Sequence, residues 1–505
     1  MQPVYILIYL LFYFLFIFLI TWITTRHSDH ESFYLGNKKS PWPLVAFGMI
    51  GTSISGVTFI SVTGMVAAQK FSYFQFVLGL TIGYQFITWV LLPLYYRLKL
   101  TSIYTYLDIR FGPKSHRVGS FYFLLARTLG ASARLFLVAE VLNDLVFKYL
   151  SIPFELSVAI VLLLIFLYTV KGGIKTIVYT DTIQTAFMLI AVFFSIWEVH
   201  NILHQSLPSL WKEASSKGLT QVFTSGNSGF WKNFLSGVFI CIGMTGLDQD
   251  LMQKNLSMKN IGDAQKNMTS FSLIALLVNL LFLSFGAFLS ILIAQKGLKF
   301  SSPDLAYGEV AMHYFSAPGA IIFIIGLVSI SFSSSDSALT ALTTSFCIDI
   351  LGFKPGDAAR VPQRRWIHFS FCVLSYFLII FLFRGFKTSV INIVYSIGSY
   401  TYGPLIGIYG FGLIIKRKVE DYWIPYIAIL SALIIILLNG WMGYHSIYSG
   451  QGKISSQAFE SLNVFNQISQ SFSNGWGNEI IIYNAILTFL GLLAFSKKDI
   501  NYKSL

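Results

Sequence analysis

Residues 329–344 read SISFSSSDSALTALTT, six serines and one aspartate set inside an apolar run. A carboxylate at the centre of a membrane helix costs about 2.5–3.5 kcal/mol on insertion scales, so Asp336 calls for a partner. Ser333, Asp336, Ser337 and Thr340 fall at i, i+3, i+4 and i+7, which places them on one helix face, with Ser334 at its flank. An oxygen-only face suits a hard, weakly held monovalent cation and does not suit zinc or copper, which want nitrogen or sulfur. The competing account of the serines is helix packing, since small hydroxyl residues let membrane helices approach closely.

Two further stretches carry polar chemistry. A second acid, Asp181, lies in KGGIKTIVYTDTIQTAFML, and its plain reading is an interfacial residue near Lys171 and Lys175. In GTSISGVTF, residues 51–59, Gly51, Ser53, Ser55, Gly56 and Thr58 interrupt an otherwise apolar helix. Broken backbone at membrane depth is tolerated only where protein or a cavity receives it. Freed carbonyls can then coordinate sodium and freed N–H groups can hold an anion. The alternative is a kink whose backbone groups are satisfied by Ser and Thr.

The elements that must position these residues follow from hydropathy. The chain has 505 residues, of which 55% are hydrophobic and 11% charged; soluble domains carry about 25% charged residues. This composition predicts an all-α polytopic membrane protein. Thirteen apolar segments are long enough to span about 30 Å of hydrocarbon: roughly 4–25, 41–67, 72–96, 119–147, 153–170, 177–199, 231–249, 270–295, 317–345, 366–384, 388–415, 423–445 and 479–496. The first is too long for a signal-peptide core and lacks a basic region before it, so it reads as a retained helix. With the N-terminus outside, inside loops take 23 of the 35 basic residues, Lys254 among them, and outside loops take ten. That bias predicts N-out, C-in in a plasma membrane, and short tails without glycosylated insertions fit a bacterial inner membrane. The net charge of +13 is then a topology signal, with membrane lipid as its partner and no nucleic acid. Cys241, Cys347 and Cys372 all sit in apolar runs and suggest neither a disulfide framework nor a zinc site. The second and seventh spans are both Gly-interrupted, which is what two inverted five-helix repeats would give.

Three ordered motifs carry a resemblance. KGGIKTIVYTDTIQ resembles the Gly-Gly then Thr-Asp-x-x-Gln signature of the sodium/solute symporter family. GLDQDLMQKNLSMKN, residues 246–260, resembles that family's segment after its broken seventh span, and SSSDSALTALTTSFCIDI resembles its Ser-Ser…Asp-Ile helix. The resemblance covers roughly residues 30–420. It implies a LeuT-type 5+5 fold in one transmembrane domain over 1–505: an extra helix at 4–25, a first repeat at 41–199, a second at 231–415, and two added helices at 423–496. It also implies a conserved sodium site at the backbone carbonyls of Gly51, Ile54 and Ile330 and the hydroxyls of Ser333 and Ser334. Some members hold a second sodium, and the matching positions are Asp181, Ser333, Asp336 and Ser337. Asp336 departs from that pattern, because those members carry serine there. Two carboxylates would then face one site, which leaves sodium or a proton as the coupling ion.

Ser53, Ser55 and Thr58 match pocket-lining positions of related members, and Thr245 is a further candidate. Arg134, in GASARLFLVAEVLND, resembles an arginine that meets substrate carboxylate in some members, and a bidentate guanidinium suits a carboxylate. Its alternatives are pairing with Glu140 or Asp144, or exposure in an outer vestibule. For each hydroxyl the alternative is helix packing. The function implied is sodium-coupled symport of a small polar solute such as a sugar, amino acid, carboxylate or vitamin, with no organic cofactor. Proton-coupled or inorganic-anion symport on the same fold, a channel and a transporter-like sensor remain as alternatives. An aspartyl intramembrane enzyme lacks its Tyr-Asp…Gly-x-Gly-Asp motif, and no phosphate loop, zinc motif or nucleophile elbow occurs, so no enzyme is expected.

Overall fold

The structure is a computed structural model and describes residues 3–26, 32–223, 229–300, 303–354, 357–383, 390–449 and 475–498. It is almost wholly helical. Helix α1, Pro3–Thr25, is apolar on all sides and long enough to cross a bilayer. The polar interruption at 51–59 breaks the next span into α2, Trp42–Ser53, and α3, Thr58–Gln69, bent by 67°. Then come α4, Tyr73–Arg97, α5, Pro113–Leu142, α6, Phe154–Val170, and α7, Gly172–Leu203. A second broken span pairs α8, Phe230–Gly246, with α9, Gln249–Leu256, bent by 63°. The series continues with α10, Ile261–Lys296, α11, Ala317–Ile350, α12, Val361–Leu382, α13, Val390–Ile414, α14, Trp423–Tyr448, and α15, Ile480–Ala494. Residues 417–418 and 497–498 form a short antiparallel bridge.

Local chemistry explains several of these ends. Asn260 accepts the backbone N–H of Asp263 to start α10, and Ser316 accepts that of Gly319 to start α11. Glu198 of α7 in turn accepts from the Ser316 backbone N–H at 3.1 Å. At the start of α5 the cap comes from far along the chain: Asp421 accepts the backbone N–H groups of Lys114 and Ser115, each at 2.8 Å. The α6/α7 boundary falls at Gly173, whose φ of 52° and ψ of −146° suit glycine. A side chain there would also meet Phe33 at about 2.5 Å.

Burial sorts the helices into centre and rim. In the apolar 18-residue stretch of α11, 72% of residues are buried, whereas in those of α1 and α12 only 28% and 22% are. Every residue from Gly326 to Ser345 of α11 is buried. This serine-rich helix therefore packs on all sides, against α6, α7, α2 and α5. Helices α4 and α8 meet backbone to backbone: a Cβ on Gly79 would lie 2.0 Å from the Phe234 carbonyl oxygen, and one on Gly237 would lie 2.2 Å from that of Phe76.

Two residues counted by charge as loop cations are buried within helices. Lys254 lies in α9 and is 1% exposed. Arg364 opens α12, is buried, and stacks 3.8 Å above the Phe33 ring. The polar stretch 200–232 contains a short amphipathic helix, Leu207–Ser216, and a second short helix spans Pro303–Tyr314; charge and hydropathy had marked neither. Arg384, Lys387, Lys453 and Lys503 lie outside the described residues.

Candidate functional site

The break between α2 and α3 faces the middle of α11. Helix α2 ends at Ile54, whose φ of −87° and ψ of 86° turn the chain out of the helix. A Cβ on Gly51 would stand 3.0 Å from Ser333 Oγ and 2.5 Å from Thr185 Oγ1, so the last turn of α2 lies against both α11 and α7. Thr185 already accepts the Gly51 backbone N–H at 3.1 Å. Just past the break, a Cβ on Gly56 would reach Ser331 Oγ at 2.5 Å. Ser334 donates to the Ser331 carbonyl at 3.1 Å, and Ile330 lies fully buried one turn earlier on α11. Gly51 and Ser333, from separate helices, thus meet directly, with Ile54, Ile330 and Ser334 in adjoining turns. Gly51→Val is expected to abolish uptake, because Thr185 and Ser333 leave no room for the side chain; uptake equal to that of the unsubstituted chain would contradict this packing.

Asp181 is the hub beside that junction. Its Oδ1 accepts from Ser333 Oγ at 2.7 Å and its Oδ2 from Thr52 Oγ1 at 3.0 Å. The Lys254 ammonium lies 2.5 Å from the same Oδ2 and also reaches Thr52 Oγ1. Asp181, Ser333, Thr52 and Lys254 come from α7, α11, α2 and α9, and all are buried. The interfacial reading of Asp181, near Lys171 and Lys175, gives way to this buried ion pair.

Asp336 has different partners. Its Oδ2 accepts from Tyr168 of α6 at 2.8 Å, and its Oδ1 takes the Ser337 backbone N–H at 2.5 Å. No ion pair to Asp336 occurs among the described residues. The hydroxyls of Ser337 and Thr340 are buried without a hydrogen-bond partner among the described residues. Lys254 thus pairs with Asp181, while Asp336 takes its donors from Tyr168 and the Ser337 backbone.

A cavity of about 840 Å³, its open mouth included, begins at the same break. Ser53, Ser55, Thr58, Arg134 and Thr245 all line it. Ser53 is 3.3 Å from the Tyr84 hydroxyl. Arg134 has no carboxylate within ion-pair distance among the described residues, so neither Glu140 nor Asp144 claims it. Arg127, two helical turns earlier on α5 and also on the wall, does have carboxylate partners: it pairs with Asp250 and lies 3.7 Å from Asp248. Asp248 also accepts from the Tyr402 hydroxyl at 2.5 Å. Tyr73 and Tyr395, hydroxyls 3.0 Å apart, line this cavity and also a second one on its other side.

Sequence reasoning missed Lys254, Thr52, Thr185 and Tyr168. Thr185 was recoverable, since it lies one turn beyond Asp181 on the same face. Thr52 sits inside the quoted GTSISGVTF. Tyr168 carries no signal in an aromatic-rich apolar run.

A match to the Sodium:solute symporter family covers residues 33–421. Among curated relatives, the chain is 23% identical over 407 residues to sodium-coupled monocarboxylate transporter 2 of Danio rerio, covering 76% of this chain and 63% of the relative. It is 23% identical over 430 residues to the sodium-dependent multivitamin transporter of Oryctolagus cuniculus, covering 81% of this chain and 64% of the relative. The chain thus spans less than two thirds of the length of these relatives. Among solved structures, a Na+-coupled sialic acid symporter in a substrate-bound outward-open state superposes with a TM-score of 0.74, at 17% identity, over 98% of this chain and 99% of that one. Mhp1, a nucleobase-cation-symport-1 family transporter, gives a TM-score of 0.55 at 13% identity over 92% of this chain and 94% of that one. These likenesses establish the fold as LeuT-type.

Proposed function

The chain belongs to the sodium:solute symporter family, and from that premise we propose that it is a secondary active symporter importing a small, polar, anionic or zwitterionic solute with sodium. The observation that carries this reading is that one helix break serves two purposes: Gly51 faces Ser333 on one side, and Ser53, Ser55 and Thr58 line the cavity on the other. Sodium at Gly51, Ile54, Ile330, Ser333 and Ser334 would fix the end of α2 and so shape the solute pocket. Solute binding would then favour the state in which sodium is held, which is the thermodynamic content of coupling. One charge crossing 100 mV carries about 2.3 kcal/mol, enough for about 50-fold accumulation per ion. Arg134, which has no ion-pair partner among the described residues, supports an anionic group on the solute. The relatives that transport monocarboxylates and vitamins, and the neighbour that carries sialic acid, support the same class.

The 67° and 63° breaks of α2/α3 and α8/α9 support two five-helix repeats, α2–α7 and α8–α13, with α1, α14 and α15 added to one transmembrane domain. The basic-residue bias supports N-out, C-in in the plasma membrane. The test is uptake into proteoliposomes of a panel of carboxylates, amino acids, sugars and vitamins, with and without an inward sodium gradient. Sodium-driven accumulation of an anionic member is the expected result. Accumulation of none of them under any ion gradient would overturn the reading.

A second reading, proton-coupled symport, is favoured by one observation: Asp336 is buried with hydroxyl and N–H donors and forms no ion pair among the described residues. The two readings separate at Asp336→Asn. If Asp336 is a sodium ligand, the variant loses at least about tenfold in apparent sodium affinity. Unchanged sodium dependence of uptake would remove that role.

A further inference from the structure

We propose that Lys254 is a tethered cation that occupies the Asp181 position in place of a second sodium ion, and that a free cation binds there only when the lysine leaves. The proposal rests on the symporter reading and deepens it. Its ground is the placement of one ammonium. Nζ lies 2.5 Å from Asp181 Oδ2 and reaches Thr52 Oγ1, while Ser333 holds Oδ1. These are the oxygen types that would surround a sodium ion, and the lysine fills their midst at 1% exposure. An ammonium and a sodium ion carry the same charge, so exchanging one for the other leaves the electrostatic balance of the pocket unaltered. Isolated buried charge is what membrane interiors do not tolerate, so Asp181 needs one or the other.

The backbone that carries Lys254 gives the exchange a mechanical output. Lys254 belongs to α9, the half-helix after the second break, whose first residues Asp248 and Asp250 meet Arg127 at the cavity wall. Asp181 belongs to α7 and Thr52 to the end of α2. The Lys254–Asp181 pair therefore ties α9 to α7 and to the turn that bears the conserved cation ligands. A cation that took over Asp181 would cut that tie and free α9. A lysine suits such a role, because its four-carbon stem can swing a point charge away, where a planar, bidentate arginine is harder to dislodge.

The test counts sodium bound to the purified full-length protein, by radioactive sodium binding and by thermal stabilisation in sodium chloride against choline chloride at constant ionic strength. Lys254→Gln is expected to bind about one more sodium per chain than the unsubstituted protein, or to raise its apparent sodium affinity about tenfold. Lys254→Arg keeps the charge and, being harder to dislodge, is expected to bind no more sodium than the unsubstituted protein and to bind it no more tightly. Adding Asp181→Asn to Lys254→Gln is expected to abolish the gain while keeping the protein folded, since no buried charge is then left unpaired. A folded Lys254→Gln that binds sodium in the same number and with the same affinity as the unsubstituted protein overturns the proposal and leaves the symporter reading standing. Sodium binding by Lys254→Gln alone supports the tethered cation and removes sodium as the coupling ion of the natural chain. Binding by neither overturns both.

Discussion

Arg134→Met is expected to raise KM for an anionic solute about 10- to 150-fold, the value of one lost hydrogen-bonded charge contact, while sodium binding persists. The expectation comes from contrast within one helix. Arg127 and Arg134 lie two turns apart on α5 and both line the cavity, yet Arg127 has its carboxylates and Arg134 has none among the described residues. A guanidinium placed in a polar cavity without a protein counter-ion is a site for one brought by the solute. Arg134→Lys is expected to recover part of the loss, since it restores charge without the two-point geometry. The measurement is initial uptake against solute concentration at saturating sodium. An unchanged KM for every anionic solute transported would end the assignment.

Arg127→Met is expected to lower stability by about 3–5 kcal/mol, the cost of breaking a buried ion pair from one side. It leaves Asp250 without its cation and Asp248 with only the Tyr402 hydroxyl and its role at the start of α9. Pairing the change with Asp250→Asn is expected to return most of that stability, because the remaining group no longer needs a charge. Thermal unfolding of the purified single and double variants reads both. Equal unfolding temperatures for Arg127→Met and the unsubstituted chain would show that these carboxylates do not depend on Arg127.

The spans were legible in the sequence because lipid imposes one requirement over about 20 residues at a time, and Gly and Ser at 51–56 marked the break because they interrupt an otherwise apolar run. Asp181 and Asp336 were legible for the same reason: each is an acid in an apolar run. Their partners were not. Lys254 sits among Asp248, Gln249, Asp250, Gln253 and Asn255, and such a stretch reads as a solvated loop. Only the fold buries all of it at once. Tyr168 was hidden by the opposite camouflage, one aromatic ring among many. Of the five cavity residues, Ser53, Ser55, Thr58 and Arg134 came from positional likeness to a family, and Thr245 from its small polar side chain in an apolar span. Hydropathy alone would have left Thr58 and Thr245 as packing hydroxyls.

The contact at Gly79 and Gly237 bears on how such a carrier rocks. Two helices whose main chains touch cannot slide or roll over one another without collision, so α4 and α8 must travel as a single rod. That fuses a neighbour of the first broken span to α8, the first half of the second. Any swing that exposes the pocket to one side and then the other has its pivot outside this rod, and a bulkier residue at either glycine would prise the rod apart before it reached the ions.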